Sequence, residues 1–187
     1  MSLRRLITSW KTVSGRRVVI NILIICKEYF ERTRIKTQHR MKTNRPKVEG
    51  IFPLSFMQKA LLFHSLYEEE DQGLIQIQCR LEGALDQTLF QNAWEEVVRR
   101  HEALRSSIHW EKVVEPVQVI RPQVSVDWKV EDWQEISKEA QDQQLTRLLA
   151  SDRKEKFNLT KPNISRFYLI RLAANTHYFV WTSHHIV

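Results

Sequence analysis

The chain has 187 residues, enough for a domain with a substantial core, and its 42% hydrophobic and 10% aromatic content excludes a disordered or fibrous polypeptide. The net charge of +7 would suggest an anionic partner, but residues 1–49 carry 13 of the 29 Lys and Arg and only 3 of the 22 Asp and Glu, a net of +10 that leaves −3 for residues 50–187. The body of the chain is therefore weakly acidic, and neither nucleic acid nor a membrane is expected as its partner.

Residues 1–46 read as a basic N-terminal extension, a linker or a partly helical segment. Their one apolar run, Val18 to Cys26 interrupted by Asn21, is too short to span a bilayer. Lys27-Glu28-Tyr29-Phe30 follows where a signal peptide needs small residues for cleavage. From Arg32 to Lys47 the chain is polar and basic, with Pro46 near the end; this is the pattern of a solvated arm, with a docking or nucleic-acid-binding arm as the functional alternative. Cys26 and Cys79 lie in different segments and suggest no disulfide framework, so a reduced, cytoplasmic setting is expected.

Regular patterns begin after Gly50. Ser55 with Gln58 three residues on forms a capping box, Pro53 suits the entry, and Met57, Leu61, Leu62 and Leu66 recur at helical spacing. Ile75, Ile77, Cys79 and Leu81 alternate with polar residues as a half-buried strand that Gly83 ends. Asp86 caps the next helix, whose stripe is Leu89, Phe90, Ala93, Trp94, Val97 and Val98. Leu104 to Trp110 and Val113 to Ile120 read as two strands, and an acidic Trp-rich loop surrounds Trp128 and Trp133. Ser137 starts a helix with Ala140, Leu145, Leu148 and Leu149 apolar. Alternation from Phe167 to Leu172 and the run His177 to Ser183 then give the last two strands. Helices and strands mix without a strict βαβ rhythm, so the expected class is α+β, with helices packed on a mixed or antiparallel sheet.

His184 and His185 close the last strand. Neighbouring strand residues face opposite sides, and no Cys, Asp or Glu stands nearby in sequence, so a shared metal is not expected. Two readings stay open on these residues alone. Either both histidines are satisfied or surface side chains, or one is structural while the other is presented at the strand end as a general base.

Three segments taken together resemble one family. Phe52 to Tyr67, FPLSFMQKALLFHSLY, is similar to the first core motif of the condensation domains of nonribosomal peptide synthetases, YPLSPMQxGMLFHSLY. Arg100 to Ile108, RHEALRSSI, resembles the second, RHExLRTxF, and Ser183-His184-His185-Ile186-Val187 looks like the start of the third, HHxxxDG. The resemblance covers residues 47–187. It implies a chloramphenicol acetyltransferase-like fold, of which this chain would be the amino-terminal lobe, the carboxy-terminal lobe and the Asp-Gly of the third motif lying outside it. It further implies amide-bond formation between aminoacyl or peptidyl thioesters, with no cofactor bound by the domain itself. The substrates would ride on the phosphopantetheine arms of carrier protein domains that work beside adenylation domains. Carried over by motif, His185 would be catalytic. His184, Ser55, Gln58, His101 and Arg105 would support the active site, and no metal would be involved. The fragment alone would be inactive. The departures are Phe56 where Pro is usual, Lys59-Ala60, and Ser106 and Ile108 for Thr and Phe. A non-catalytic interaction module with a basic arm is the alternative.

Overall fold

A computed structural model describes residues 48–68 and 73–187 of the chain. The basic extension expected over residues 1–46 lies outside the described residues. Strand β1 (Gly50–Pro53) leads through the Ser55 cap into helix α1 (Phe56–Tyr67). The capping box forms as its sequence requires: the Gln58 amide N–H donates to Ser55 Oγ at 3.2 Å, and Ser55 N–H donates to Gln58 Oε1 at 2.9 Å. Strand β2 (Leu74–Glu82) follows, then helix α2 (Gln87–Arg100), whose Leu89 N–H donates to the Asp86 cap at 2.9 Å. A 3₁₀ turn (Glu102–Arg105) runs into β3 (Ser106–His109), β4 (Val117–Ile120) and β5 (Trp128–Asp132). Helix α3 (Lys138–Lys154), capped by Ser137, precedes the long hairpin β6 (Ser165–Ala173) and β7 (Thr176–His184).

The strands form two sheets. One is antiparallel in the order β1-β4-β3; the other runs β2-β7-β6-β5, antiparallel except for the parallel β5/β6 pair. Helix α2 covers one face of the larger sheet. Phe90, Trp94 and Val98 meet Phe167, Leu169 and Phe179 there, with Trp94–Phe167 and Trp94–Phe179 ring centroids 5.3 and 5.2 Å apart. Helix α3 is held to the opposite face through Asp152, which is bonded to Gln76, Arg166, Tyr168 and Thr182. A second cluster of Leu54, Leu62, Ile108, Leu159, Ile164 and Ile186 joins α1, β3 and the turn after β7, so it links the two sheets.

Several local expectations change. The Trp128 region is a strand rather than a loop; its polar residues suit an edge position, while Trp128 packs beside Phe167 at 5.1 Å. The two strands expected over 104–120 shrink to four residues each. Leu104 and Arg105 fall in the 3₁₀ turn, and Val113 and Val114 lie exposed before Pro116, next to Lys112 at φ 58°. Strand β1 was not apparent from its four residues; it pairs with β4 on one side only, where Pro53 is tolerated. Half of the α1 stripe is used: Leu62 is buried, but Met57 is 66% and Leu66 43% exposed. In α2, Leu89 likewise faces solvent. Among the described residues, no helix is long and apolar enough to cross a membrane.

Candidate functional site

The third sheet-end motif folds into a turn. Strand β7 ends at His184, whose N–H donates to Ile164 O at 3.3 Å; His185 N–H donates to Gly73 O at 2.7 Å, and Val187 N–H returns to His184 O at 3.3 Å. The backbone of both histidines is thereby tied to the strands and connections on either side.

The two side chains part company, as adjacent residues at a strand end must. His184 is fully buried. The Ile186 backbone N–H donates to its Nδ1 at 3.1 Å, and Nε2 lies 2.8 Å from Ser65 Oγ. A backbone amide can only donate, so Nδ1 carries no proton and the neutral ring holds it on Nε2, which donates to Ser65. That tautomer cannot accept the Ser65 proton at Nε2, which excludes a Ser65 nucleophile activated by His184. His185 is exposed. It lines a cleft of about 190 Å³ with Ser183, His184, Val187 and the apolar residues Ile75, Ile77, Leu104 and Trp181. The site thus has one imidazole locked into the fold and one offered to solvent.

Helix α1 braces this turn. Gln58 Nε2 donates to Ile186 O at 2.8 Å and to Gln118 Oε1 at 3.1 Å, while Gln58 Oε1 serves the Ser55 cap. One side chain therefore joins the start of the helix, the β4 strand and the histidine turn. The 100–108 segment contributes more indirectly. Leu104 lines the cleft, and the Ile108 N–H donates to Leu159 O at 2.7 Å in the cluster that also holds Ile186. Buried Arg105 bonds Glu49 and the Arg121 carbonyl, fastening the small sheet. His101 closes α2 instead, its Nδ1–H donating to Val97 O at 2.7 Å; it is exposed and does not line the cleft. Gln58, His184 and His185 are thus brought together, with Ser55 behind them, whereas Arg105 and His101 serve other junctions.

Sequence reasoning did not single out Ser65 or the Asp152 network. Ser65 lies inside the first motif, but its role depends on a residue 119 positions away. Asp152 sits on a polar helix, where a carboxylate reads as solvent-facing, yet it is 2% exposed. Arg166 Nε, Tyr168 Oη and Gln76 Nε2 donate to its oxygens at 2.7, 3.1 and 2.8 Å, and Thr182 Oγ1 donates as well. Burial pushes the Asp152 carboxyl up, but the hydrogen bonds from Thr182, Gln76 and Arg166, with the Arg166 charge, outweigh it and hold the group below its ordinary value of 3.8. Among the described residues, no group of three or more His, Cys, Asp or Glu is placed to hold a metal ion.

The condensation-domain family model matches residues 48–187. The chain belongs to that family. The stretch is similar to part of a linear gramicidin synthase from Brevibacillus parabrevis, 38% identical over 141 residues that make up 75% of this chain and 2% of that protein. It is also similar to bacitracin synthase 3 of Bacillus licheniformis, 39% identical over 148 residues, 79% of this chain and 2% of that one. Among solved structures, the starter condensation domain of rhizomide synthetase superposes with a TM-score of 0.63 at 21% identity, covering 74% of this chain and 34% of that chain. The first condensation domain of the calcium-dependent antibiotic synthetase, solved with a substrate analogue, gives 0.65 at 21%, covering 74% and 33%. The condensation-domain fold inferred from the motifs is therefore the fold observed. The chain spans about 2% of the length of these two synthases and about a third of these two solved chains.

Proposed function

We propose that this chain supplies the histidine-bearing part of a domain that forms amide bonds between thioesters presented on carrier protein domains, with His185 as the residue that meets the reacting atoms. The observation that carries this reading is the division between the histidines. His184 is buried with both ring nitrogens engaged inside the fold, whereas His185 is exposed on a fastened backbone, beside an apolar cleft that both residues line.

An amine attacking a thioester carbonyl forms a C–N bond, expels the thiolate as the C–S bond breaks, and must lose a proton. An imidazole presented from this fastened backbone can take that proton and pass it to the departing sulfur, or hydrogen-bond the tetrahedral intermediate. Positioned acid–base groups of this kind contribute roughly 10²–10⁴ in rate. Holding two tethered substrates in one cleft contributes further by converting a bimolecular encounter into an intramolecular one. The carbonyl and amine components would arrive on phosphopantetheine arms of carrier protein domains, loaded by adenylation domains of the same or a neighbouring synthetase. The arm is substrate, and no group resident in this domain is needed for the step. Ser55, Gln58 and His184 hold the turn that presents His185, and Arg105 holds the sheet beside it.

The test is a chimera in which residues 48–187 replace the matching stretch of bacitracin synthase 3, with amide formation between carrier-bound thioesters followed by mass spectrometry. His185→Ala is expected to slow product formation by roughly 10²-fold or more. A chimera that forms the amide equally well with and without His185 refutes the assignment.

A further inference from the structure

The geometry points to Asp152 as a positioning residue for the His184–His185 turn, acting through Thr182 on β7. This rests on the reading above only where it concerns chemistry at His185; the effect on His184 stands by itself.

Three strands present one row of side chains to α3. Gln76 on β2 and Arg166 on β6 both stand opposite Thr182 on β7, and all three donate to the Asp152 carboxylate. The neighbouring row holds His184, opposite Leu74 on β2 and bonded through its N–H to Ile164 O, just before β6. The carboxylate therefore clamps the three strands two residues before the histidine, on the same face of β7. The other side of the His184 contact is held from the same helix end. Just past α3, Lys156 Nζ donates to Ser65 O at 3.5 Å and to Glu68 O, so it grips the α1 turn that carries the Ser65 hydroxyl. Phe157 lies beneath the Arg166 guanidinium at 4.0 Å. The end of α3 thus sets both halves of the Ser65–His184 hydrogen bond: β7 through Asp152, and α1 through Lys156. A carboxylate suits this task because one group accepts from several strands at once, and charge-assisted bonds are stronger and more directional than neutral ones. Burial raises the penalty for leaving any of these donors unmatched, so the row moves as a unit or not at all.

The experiment is histidine-selective ¹⁵N NMR of the full chain. The wild type is expected to show His184 as the neutral Nε2–H tautomer with a slowly exchanging ring proton. Thr182→Val removes the one hydroxyl that connects the carboxylate to β7 while keeping the shape. Asp152→Asn keeps the shape but turns an acceptor into a donor. Both are expected to speed exchange of the His184 Nε2–H by roughly tenfold or more, the scale of one lost buried hydrogen bond in local opening, while the α2 amides keep their protection. Thr182→Ser is expected to restore the wild-type signal. A folded Thr182→Val or Asp152→Asn protein with an unchanged His184 signal overturns the proposal. So does a loss of protection in α2 that parallels the loss at His184, which would mean general support of the fold. If the His184 signal moves as stated but His185→Ala leaves amide formation intact in the chimera, the catalytic reading falls and the positioning role stands.

Discussion

Gln58 gives the sharpest check on how the site is held, because one amide performs two separable tasks. Its oxygen completes the α1 capping box, and its nitrogen binds Ile186 O and Gln118 Oε1. Gln58→Ala removes three hydrogen bonds. The cap component is worth about 1 kcal/mol, less whatever water recovers at the exposed Ser55 N–H. The two donor bonds are worth about 0.5–1.5 kcal/mol each, with the carbonyl of the buried Ile186 left wanting a donor. The total is about 2–4 kcal/mol of stability, against about 1 for Ser55→Ala, which removes the cap alone. Gln58→Glu separates the tasks further, since it keeps the acceptor toward Ser55 but turns a carboxylate onto Ile186 O. Urea unfolding followed by circular dichroism measures the global cost. Amide exchange at Ile186, whose N–H reaches His184 Nδ1, measures the local one. The expected order at Ile186 is wild type and Ser55→Ala protected, Gln58→Ala and Gln58→Glu exposed. If Gln58→Ala costs no more than Ser55→Ala and leaves Ile186 exchange unchanged, the brace between helix and turn is not real.

Two further outcomes are expected. Burial, then the nearby Arg171 charge, pushes buried His177 below its ordinary value of 6.5, with Asp132 opposing, so the folded chain binds this proton less well than the unfolded chain. Stability from this site is complete above pH 6.5 and falls as pH drops through that value toward the folded pKa; His177→Gln should flatten that part of a stability–pH curve measured by urea unfolding, and an unchanged slope contradicts the assignment. On α1, Phe56, Met57, Phe63 and Tyr67 are 85%, 66%, 59% and 74% exposed. Such an exposed apolar face predicts self-association in sedimentation velocity, which Phe56→Ser with Tyr67→Ser should reduce while shifting stability by only about 0.5 kcal/mol per site; a wild type that stays monomeric, or an association unchanged by the substitutions, contradicts this.

Much of this was legible in the sequence because it depends on neighbours in the chain. The capping box of α1, the Asp86 and Ser137 caps, the alternation in β2 and β6 and the run that makes β7 follow from contacts within a few residues, and each forms where the sequence puts it. The opposed directions of His184 and His185 follow from the two-residue period of a strand. The motifs named the family because their wording is specific as a set. What the sequence alone could not decide was set by groups far apart along it. Strand β5 is a strand because Trp128 fits against Phe90, Phe167 and Phe179 and β6 offers a parallel edge, neither of which is local. Helix α1 buries Leu62 and leaves Met57 in water because only one side of it meets Ile108, Ile164 and Ile186. The assignment of His184 as the locked imidazole required the Ser65 hydroxyl and the Ile186 amide to be brought to its two nitrogens. Asp152 became a buried anchor only when three strands placed their donors in one row. A periodicity records which face a residue occupies; which partner waits on that face is settled by the packing of the whole chain.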